Sequence, residues 1–575
     1  MTLKELRIEK GLSQSECAEY LGMTTRNYQN YENIPAKAGT AKYHSVYNRL
    51  SAYRQALYMH EPAASYSAYN TSVVLGDNLK ALTERVTGYE KRRCFNTLRH
   101  YIHSANDGRI AILYGLRRTG KTTLLFQMIQ ELPFEKTAYI KIKTTDNMSG
   151  LVKDLEALYK NGFTYIFIDE VTLMDDFIGT AALLSDIFAT MGMKIVVSGT
   201  DSLGFAMAGS DELYDRHLMI HTSFIPFAEY SRLLGITSVD SYIEYGGTLR
   251  MENMGFGDPE LTRDEVSFRD DESTRKYIDS SISRNIQHTL RNVRFGEAFY
   301  QLRELYDKGE LTNAINRIIE SMNHRFLLSV VEERFISHDL GSARQLLLHD
   351  YPDSAAHVLY DVNEREVTER LKALIDIKEK AELAVPVTQE HIDKIKSYLY
   401  KLDLIDDCSE RYETGSMQYH TVFTQPGMRY SIAKALVYSL MQDEYFATRS
   451  ESDKTYIAGK ILEDVKGRML EDIVLFETSH AGRNGDVFKF KFDDGGEIDM
   501  VVYSRGTNTC RLYEIKHSDK SDKNQSKYLR DEARLALIKQ RFGEISDRCV
   551  IYRGKSKTAG DIKYINVEEY LKGLL

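Results

Sequence analysis

The feature that most constrains this 575-residue chain is the segment Gly115-Leu-Arg-Arg-Thr-Gly120-Lys121-Thr122. It fits the pattern G-x-x-x-x-G-K-[ST], whose glycines let a loop wrap with its N–H groups turned inward on phosphate. An apolar strand, Ile110–Tyr114, leads in, and a helical stretch, Thr123-Leu-Leu-Phe-Gln-Met-Ile-Gln, leads out. Both are required, because the helix N-terminus adds its dipole to the phosphate site. Gly115, Arg118, Thr119, Gly120, Lys121, Thr122 and Thr123 are therefore expected to cradle nucleotide. Lys121 would reach the β/γ-phosphates of ATP and the Thr122 hydroxyl would ligate Mg²⁺.

A partner segment follows about fifty residues later. In Tyr165-Ile-Phe-Ile168-Asp169-Glu170 an apolar strand ends in two carboxylates. Asp169 would hold the Mg²⁺ shell, and Glu170 would orient or deprotonate the attacking water. A further strand, Lys194-Ile-Val-Val197, ends in Ser198-Gly-Thr200-Asp201-Ser202. Ser198 at that tip is either a γ-phosphate sensor or part of a simple polar turn. With Thr137–Ile142, these strands alternate with helical stretches, which predicts a parallel sheet covered on both faces.

Composition excludes several other classes. Hydrophobic residues at 42% and charged residues at 28% are ordinary for a folded soluble protein. No apolar run approaches the roughly 18 residues of a membrane span, and the charged N-terminal segment does not resemble a signal peptide. Five cysteines without a Cys-x-x-Cys pair disfavour structural zinc and a disulfide framework, and point to a reducing cytoplasm. The net charge of −9 excludes a polycation that coats nucleic acid, but charge is uneven. Residues 1–60 carry eight Lys/Arg against five acids, and residues 80–123 ten against three. Such patches are either phosphate-backbone contacts or solvated helix faces.

The central stretch resembles the archaeal-type ATPases, a branch of the AAA-like P-loop proteins. The likeness rests on the loop, on Asp169-Glu170, on Ser-Gly-Thr-Asp-Ser, and on Leu213-Tyr-Asp-Arg216 followed by Phe224-Ile-Pro-Phe227-Ala-Glu229-Tyr230. It implies a role for Arg216 near nucleotide, in cis or from a neighbouring subunit of a homo-oligomer. Gly246-Gly247-Thr-Leu249 and Arg284-Asn285-Ile286 are similar to two further signatures of that family but depart from them at Leu249 and Asn285.

Two segments are candidates for DNA binding. Residues 3–33 resemble a Cro/phage-repressor type helix-turn-helix. Ala18 is small where two helices would cross, and Leu12, Leu21 and Tyr28 would supply core. That resemblance implies a phosphate contact from Gln14 and major-groove contacts from Thr25, Arg26 and Asn30. The second candidate begins with Ile392, Ile395, Leu399 and Leu402 on one helical face and continues into two strands, like the winged helix of the same ATPase family. Acidic Asp403, Asp406 and Asp407 leave an intramolecular packing module and a nucleic-acid binder both open.

The C-terminal part holds a third constellation. Phe488-Lys-Phe490-Lys-Phe492 alternates as a strand, Asp493-Asp-Gly-Gly496 is a hairpin turn, and Glu497-Ile-Asp499 begins the return. In Arg511-Leu-Tyr-Glu514-Ile-Lys516 the period of two puts Glu514 and Lys516 on one face, where Asp499 can join them. Two carboxylates suit a divalent metal, and a lysine beside them suits activation of water against a phosphodiester. Glu471 on an upstream helix is a third carboxylate. The set resembles the PD-(D/E)xK nuclease fold, which implies Mg²⁺ or Mn²⁺ on Glu471, Asp499 and Glu514, with Glu514 and Lys516 catalytic.

The expected protein is multidomain α/β. Residues 1–60 form an all-α helix-turn-helix domain, 61–78 a linker, 79–232 a P-loop ATPase domain with a parallel sheet, and 233–385 a helical region. Residues 386–445 form a winged helix and 446–575 a restriction-endonuclease-like α/β domain. The expected function is a cytoplasmic DNA-binding ATPase, with no membrane partner, whose nucleotide state regulates a nuclease in defence against or processing of mobile DNA. The alternative is an ATP-switched DNA-binding regulator with an inactive nuclease fold.

Overall fold

A computed structural model describes residues 2–9, 69–177, 180–200, 215–249, 267–291, 300–332, 364–379, 386–482 and 485–574, with single positions 14, 17, 28, 31, 32, 43 and 47. The chain divides into two compact units, Met1–Ala68 and Tyr69–Leu575. Among the described residues no helix is long and apolar enough to cross a membrane. All five cysteines are free thiols.

In the first unit the helix Leu3–Glu9 buries Leu3 and Leu6 against Cys17 and Tyr28. Arg7 pairs with Glu32 at 2.8 Å, and the Gln14 amide donates to the same carboxylate at 3.2 Å. Gln14, expected to touch a phosphate, is thus engaged inside its own unit. Thr25, Arg26 and Asn30 lie outside the described residues, as do Leu12, Ala18 and Leu21.

Among its described residues the second unit contains two sheets. The first has six strands: β1 (Ser72–Val74), β2 (Ile110–Tyr114), β3 (Thr137–Lys141), β4 (Tyr165–Asp169), β5 (Lys194–Gly199) and β6 (His217–His221). Their spatial order is β1-β3-β4-β5-β2-β6, all parallel except β1, which runs antiparallel to β3. Ile110, Ile112 and Tyr114 pack into the core on one face, and Ala111 and Leu113 into the core on the other. Burial on both faces explains why these strands are continuous apolar runs. The linker expected over 61–78 ends earlier than that. Ser72–Val74 is a strand and Gly76–Thr83 a helix. The strand pairs with β3, and the chain entering it is fastened by the buried Asp154 carboxylate, which accepts four hydrogen bonds, at 2.7–2.8 Å, from Asn70 and Thr71.

The described elements of 233–385 are helices: Val239–Tyr245, Asp271–Ile278, Arg284–Arg291, Tyr300–Asp307, Leu311–Val330 and Glu364–Glu379, with the π-helical turn Asp279–Ser283 between two of them. The second sheet has eight strands: β7 (Ile405–Tyr412), β8 (Met417–Phe423), β9 (Asp486–Lys491), β10 (Glu497–Ser504), β11 (Thr509–Lys516), β12 (Glu544–Tyr552), β13 (Lys557–Ala559) and β14 (Ile562–Asn566). They lie in the order β13-β14-β12-β11-β10-β9-β7-β8. The β7–β8 hairpin, expected inside a separate winged helix, is therefore continuous with the C-terminal sheet. It docks because β7 pairs in parallel with the otherwise open edge of β9. Lys491–Glu410 at 2.9 Å, Arg411–Asp486 at 3.1 Å and the Arg411 guanidinium over the Phe488 ring seal that seam. The helix Glu451–His480 packs across this sheet.

Candidate functional site

The phosphate loop turns directly off β2. Gly115 has φ +150° and Gly120 φ +85°, backbone conformations that side-chain-bearing residues rarely adopt. A Cβ on Gly115 would also stand 2.9 Å from the Ser223 backbone nitrogen. Arg118 adopts φ +64° without being glycine, a strained conformation held by its surroundings. Thr119 Oγ1 donates to the Leu116 carbonyl at 2.8 Å and meets Thr222 Oγ1 at 2.8 Å. Lys121 begins the helix Lys121–Ile129 and bends back to donate to the Gly115 and Leu116 carbonyls at 2.8 and 2.9 Å. Burial lowers its pKa to about 8, with Glu170 and Asp169 opposing the shift. Thr123 is half-buried in the first turn of the same helix.

Asp169 ends β4 and gathers the polar groups around it. Its carboxylate accepts from Thr122 Oγ1 at 3.0 Å, Tyr139 OH at 2.8 Å, Lys141 Nζ at 2.8 Å and, very closely, Ser198 Oγ. Burial would raise its pKa, but Lys141 and the hydroxyl donors outweigh it and hold the carboxyl below its usual range. Thr122 Oγ1 beside an ionised, buried carboxylate is a hard oxygen pair of the kind that suits Mg²⁺. Glu170 has φ +60° and lies 3.4 Å from the Thr200 hydroxyl. The Asn285 amide donates to the Thr200 carbonyl at 2.6 Å, which ties the helix Arg284–Arg291 to this loop.

The loop rests on a buried support. Arg92 donates to the carbonyls of Thr119 at 2.8 Å, Thr222 at 2.6 Å and Phe224 at 2.9 Å, and pairs with Glu229 at 2.8 Å. Its tip is covered by the helical region. Arg118 donates to Ser267 Oγ at 2.9 Å, Leu249 N to the Arg118 carbonyl at 2.6 Å, and Tyr277 OH to the Arg117 carbonyl at 3.3 Å. Arg118, expected on nucleotide, thus has its guanidinium on Ser267.

Arg216 is not at this site. Its carbonyl accepts from Ile110 N at the start of β2, whereas the phosphate loop leaves the other end of that strand. It is half-exposed and pairs with Asp186 at 2.8 Å. The expectation of a role in cis is therefore corrected: five strand residues, about 16 Å at 3.3 Å each, separate it from the loop.

The C-terminal constellation does converge. A register shift between Ile498 and Val501 places Asp499 and Met500 opposite the single residue Lys489. Such a bulge re-aims a side chain. Asp499 Oδ2 accepts from Ile515 N at 2.7 Å and from Lys516 Nζ at 2.9 Å. Lys516 also reaches Glu514 Oε2 at 2.9 Å. Glu514 is buried, and its Oε1 has no hydrogen-bond partner among the described residues. Burial pushes the Glu514 carboxyl well above its usual range, Lys516 opposing. Glu471 comes in from the long helix, with Arg468 at 3.3 Å and Lys489 at 3.3 Å. Oxygens of Glu471, Glu497 and Asp499 lie within 4.8 Å of one another. Converging carboxylate oxygens, and separately an orphaned oxygen on Glu514, are the hard donors that suit a divalent cation.

Polar bridges run from this cluster toward the ATPase. His517, next to Lys516, meets Asp240 at 2.6 Å, and Arg553 meets the same carboxylate at 3.1 Å. Glu477 on the long helix accepts from Phe227 N at 2.7 Å.

Comparison with known proteins assigns the first half of this picture. The family described as AAA domain matches residues 107–231, and the family described as Helix-turn-helix matches residues 3–33. Residues 107–231 are an AAA-type ATPase domain. An uncharacterized protein of Methanocaldococcus jannaschii is 25% identical over 198 residues, which is 32% of this chain and 44% of that protein. The chain thus spans less than half the length of this relative. Among solved structures, the Orc1 protein of Aeropyrum pernix in complex with DNA overlaps at TM-score 0.21 and 14% identity, covering 64% of this chain and 92% of that one. The Hsp104–ADP complex of S. cerevisiae overlaps at TM-score 0.20 and 12% identity, covering 72% and 56%. Overlaps this weak carry no argument.

Around the phosphate loop the structure adds Arg92 and Glu229 to the expected residues. Glu229 stood in a quoted motif, but Arg92 lay in a basic run with no distinguishing signal. In the C-terminal cluster it adds Lys489 and Glu497. Their signal was available, since period two places Glu497 beside Asp499 and Lys489 on the face opposite its flanking phenylalanines.

Proposed function

We propose that this chain is a DNA-binding ATPase whose nucleotide state regulates a metal-dependent nuclease, with a role in defence against or processing of mobile DNA. The observation that carries it is that Asp499, Glu514 and Lys516 meet within 2.9 Å contacts while one buried Glu514 oxygen has no partner among the described residues. An unsatisfied buried acceptor typically costs about 1–3 kcal/mol, and a bound cation beside Glu514 would satisfy it.

At the ATPase site Lys121 binds the β/γ-phosphates and exchanges its two carbonyl acceptors for phosphate oxygens. Thr122 and Asp169 would hold Mg²⁺, and Ser198 fixes the Asp169 carboxylate. Glu170 takes the proton of the attacking water, as its place beside the loop allows. Arg92, through Thr119 and Glu229, holds the loop in position. Arg216 acts, if on nucleotide at all, on a neighbouring copy of the chain.

At the nuclease site Asp499 and Glu514 would hold Mg²⁺ or Mn²⁺, with Glu471 held beside them by Arg468 and Lys489. A divalent cation there supplies charge for the phosphodiester and acidity for a water. Lys516 Nζ neutralises the developing phosphate charge and orients the water, with its own position set by Asp499 and Glu514. Ile515 N fixes the Asp499 carboxylate. Residues 1–60 would bring the chain to duplex DNA. Nucleotide state would reach the nuclease through the helix Val239–Tyr245, whose Asp240 holds His517 beside Lys516.

The second reading, an ATP-switched DNA-binding regulator with an idle nuclease fold, is favoured by one observation. Three cations, Lys489, Lys516 and Arg468, already neutralise most of the carboxylate cluster. Nicking of plasmid DNA in Mg²⁺ or Mn²⁺ separates the two. The nuclease reading expects cleavage that disappears in Asp499→Ala, and an uncut plasmid with either ion leaves the regulator.

A further inference from the structure

Lys489 has no part in the chemistry just described, and its position is unusual. It projects from β9 under the long helix with its side chain 1% exposed. Its ammonium stands 3.3 Å from Glu471 and 2.9 Å from Glu497. These are two of the three carboxylates whose oxygens close to within 4.8 Å. The third, Asp499, faces Lys489 across the bulge and turns toward Lys516. The cluster therefore has two lobes that share Asp499. One lobe is Glu471–Glu497 with Lys489, and the other is Glu514, with its orphaned Oε1, and Lys516.

We propose that Lys489 is a built-in cation. Its ammonium fills the Glu471–Glu497 lobe that a second divalent ion would need, so the site takes a single divalent ion on the Asp499–Glu514 side. This rests on the nuclease reading and deepens it.

The charges agree. With all four carboxyls ionised, as metal ligands must be, Glu471, Glu497, Asp499 and Glu514 face three cations (Lys489, Lys516 and Arg468), leaving one net negative charge. One divalent ion brings that to one net positive charge, whereas two would leave a buried cluster carrying three uncompensated positive charges. Nor can Lys489 step aside, because so deeply buried a side chain would have to carry its ammonium through packed protein. Lys489 is thus a positioning residue: it holds Glu471 and Glu497 and sets how many metal ions the site accepts.

The test counts Mn²⁺ bound to the full-length chain without nucleotide, from the EPR signal of the free ion. The same count on Asp499→Ala is subtracted, since Asp499 borders both lobes. The wild-type chain should bind a single ion above that baseline. Lys489→Met, which keeps the length and removes the charge, should bind a second ion and show the spin-coupled spectrum of a close pair. Lys489→Arg should behave as wild type. Two ions in the wild-type chain would overturn the proposal with no variant needed. So would a single ion in a Lys489→Met protein whose circular dichroism and ATPase activity match wild type. No Mn²⁺ above the Asp499→Ala baseline in any of these proteins would instead sink the metal site, and the nuclease reading with it.

Discussion

Removing the arginine under the phosphate loop should do more harm than removing any exposed residue near it. Arg92 and Glu229 are 5% and 3% exposed, and Arg92 also holds three backbone carbonyls. In Arg92→Ala the Glu229 carboxylate is left buried without its partner, a change that typically costs about 3–5 kcal/mol. Glu229→Gln keeps an acceptor for Arg92 and leaves the three carbonyls in place. It should cost less, about 1–3 kcal/mol, as for a weakened buried hydrogen bond. The double change Arg92→Met with Glu229→Leu removes both charges together. It should be milder than the sum of Arg92→Met and Glu229→Leu, with a coupling of about 2 kcal/mol. Urea unfolding gives these differences, and fluorescent ATP-analogue binding should weaken in step, because Thr119 loses its tether. An Arg92→Ala protein with the wild-type urea midpoint, or an additive double change, would refute the support role.

Other consequences follow from the same sites. Lys121→Ala should abolish nucleotide binding, while Glu170→Gln should bind ATP and lose hydrolysis; both are read by ATP-analogue binding and phosphate release. Lys121 has its pKa depressed to about 8 by burial, and phosphate favours its charged form, so ATP binding should take up protons between about pH 8 and 10.5 and none through this group below about pH 7. Calorimetry in buffers of different ionisation enthalpy measures that uptake, and its absence at pH 9 would mean that Lys121 is not the phosphate ligand. Replacing Arg26 or Asn30 should cost about 1–3 kcal/mol at a preferred duplex and little at random DNA. Equal loss on every sequence, in a gel-shift titration, would mean that the reading helix is misassigned.

Local patterns were the legible part of this molecule. Gly115–Thr122 and Asp169-Glu170 are contiguous segments flanked by continuous apolar strands, and Thr122, Asp169 and Ser198 do come together. What escaped was set by distant partners. Arg92 belongs to a basic run that suggested either phosphate contacts or a solvated face, yet it is buried because Glu229, 137 residues away, awaits it. Ser72–Val74 had the look of a linker's end, and only pairing with β3 makes it a strand. The β7–β9 pairing that joins the expected winged helix to the C-terminal sheet links residues about eighty positions apart, beyond any local signal. Arg216 stood in a quoted motif, but strand direction carries it to the far end of the sheet. Lys489 and Glu497 fell on the right face by period two, while the bulge that gathers them around Asp499 has no signature in Ile498-Asp-Met-Val501.

The most direct test of a nucleotide-controlled nuclease is the DNA cleavage rate of Glu170→Gln in Mn²⁺, with saturating ATP and without nucleotide. Asp499→Ala is carried alongside as the inactive reference. Because Glu170→Gln should hold ATP unhydrolysed, the two conditions compare two fixed states of one protein. The account predicts cleavage at clearly different rates in those states. It also predicts that an added Asp240→Asn change, which removes a charge from the contact with His517 and Arg553, brings the two rates together. Identical rates in Glu170→Gln would contradict control by nucleotide, and no cleavage of DNA or RNA in either state would contradict the nuclease.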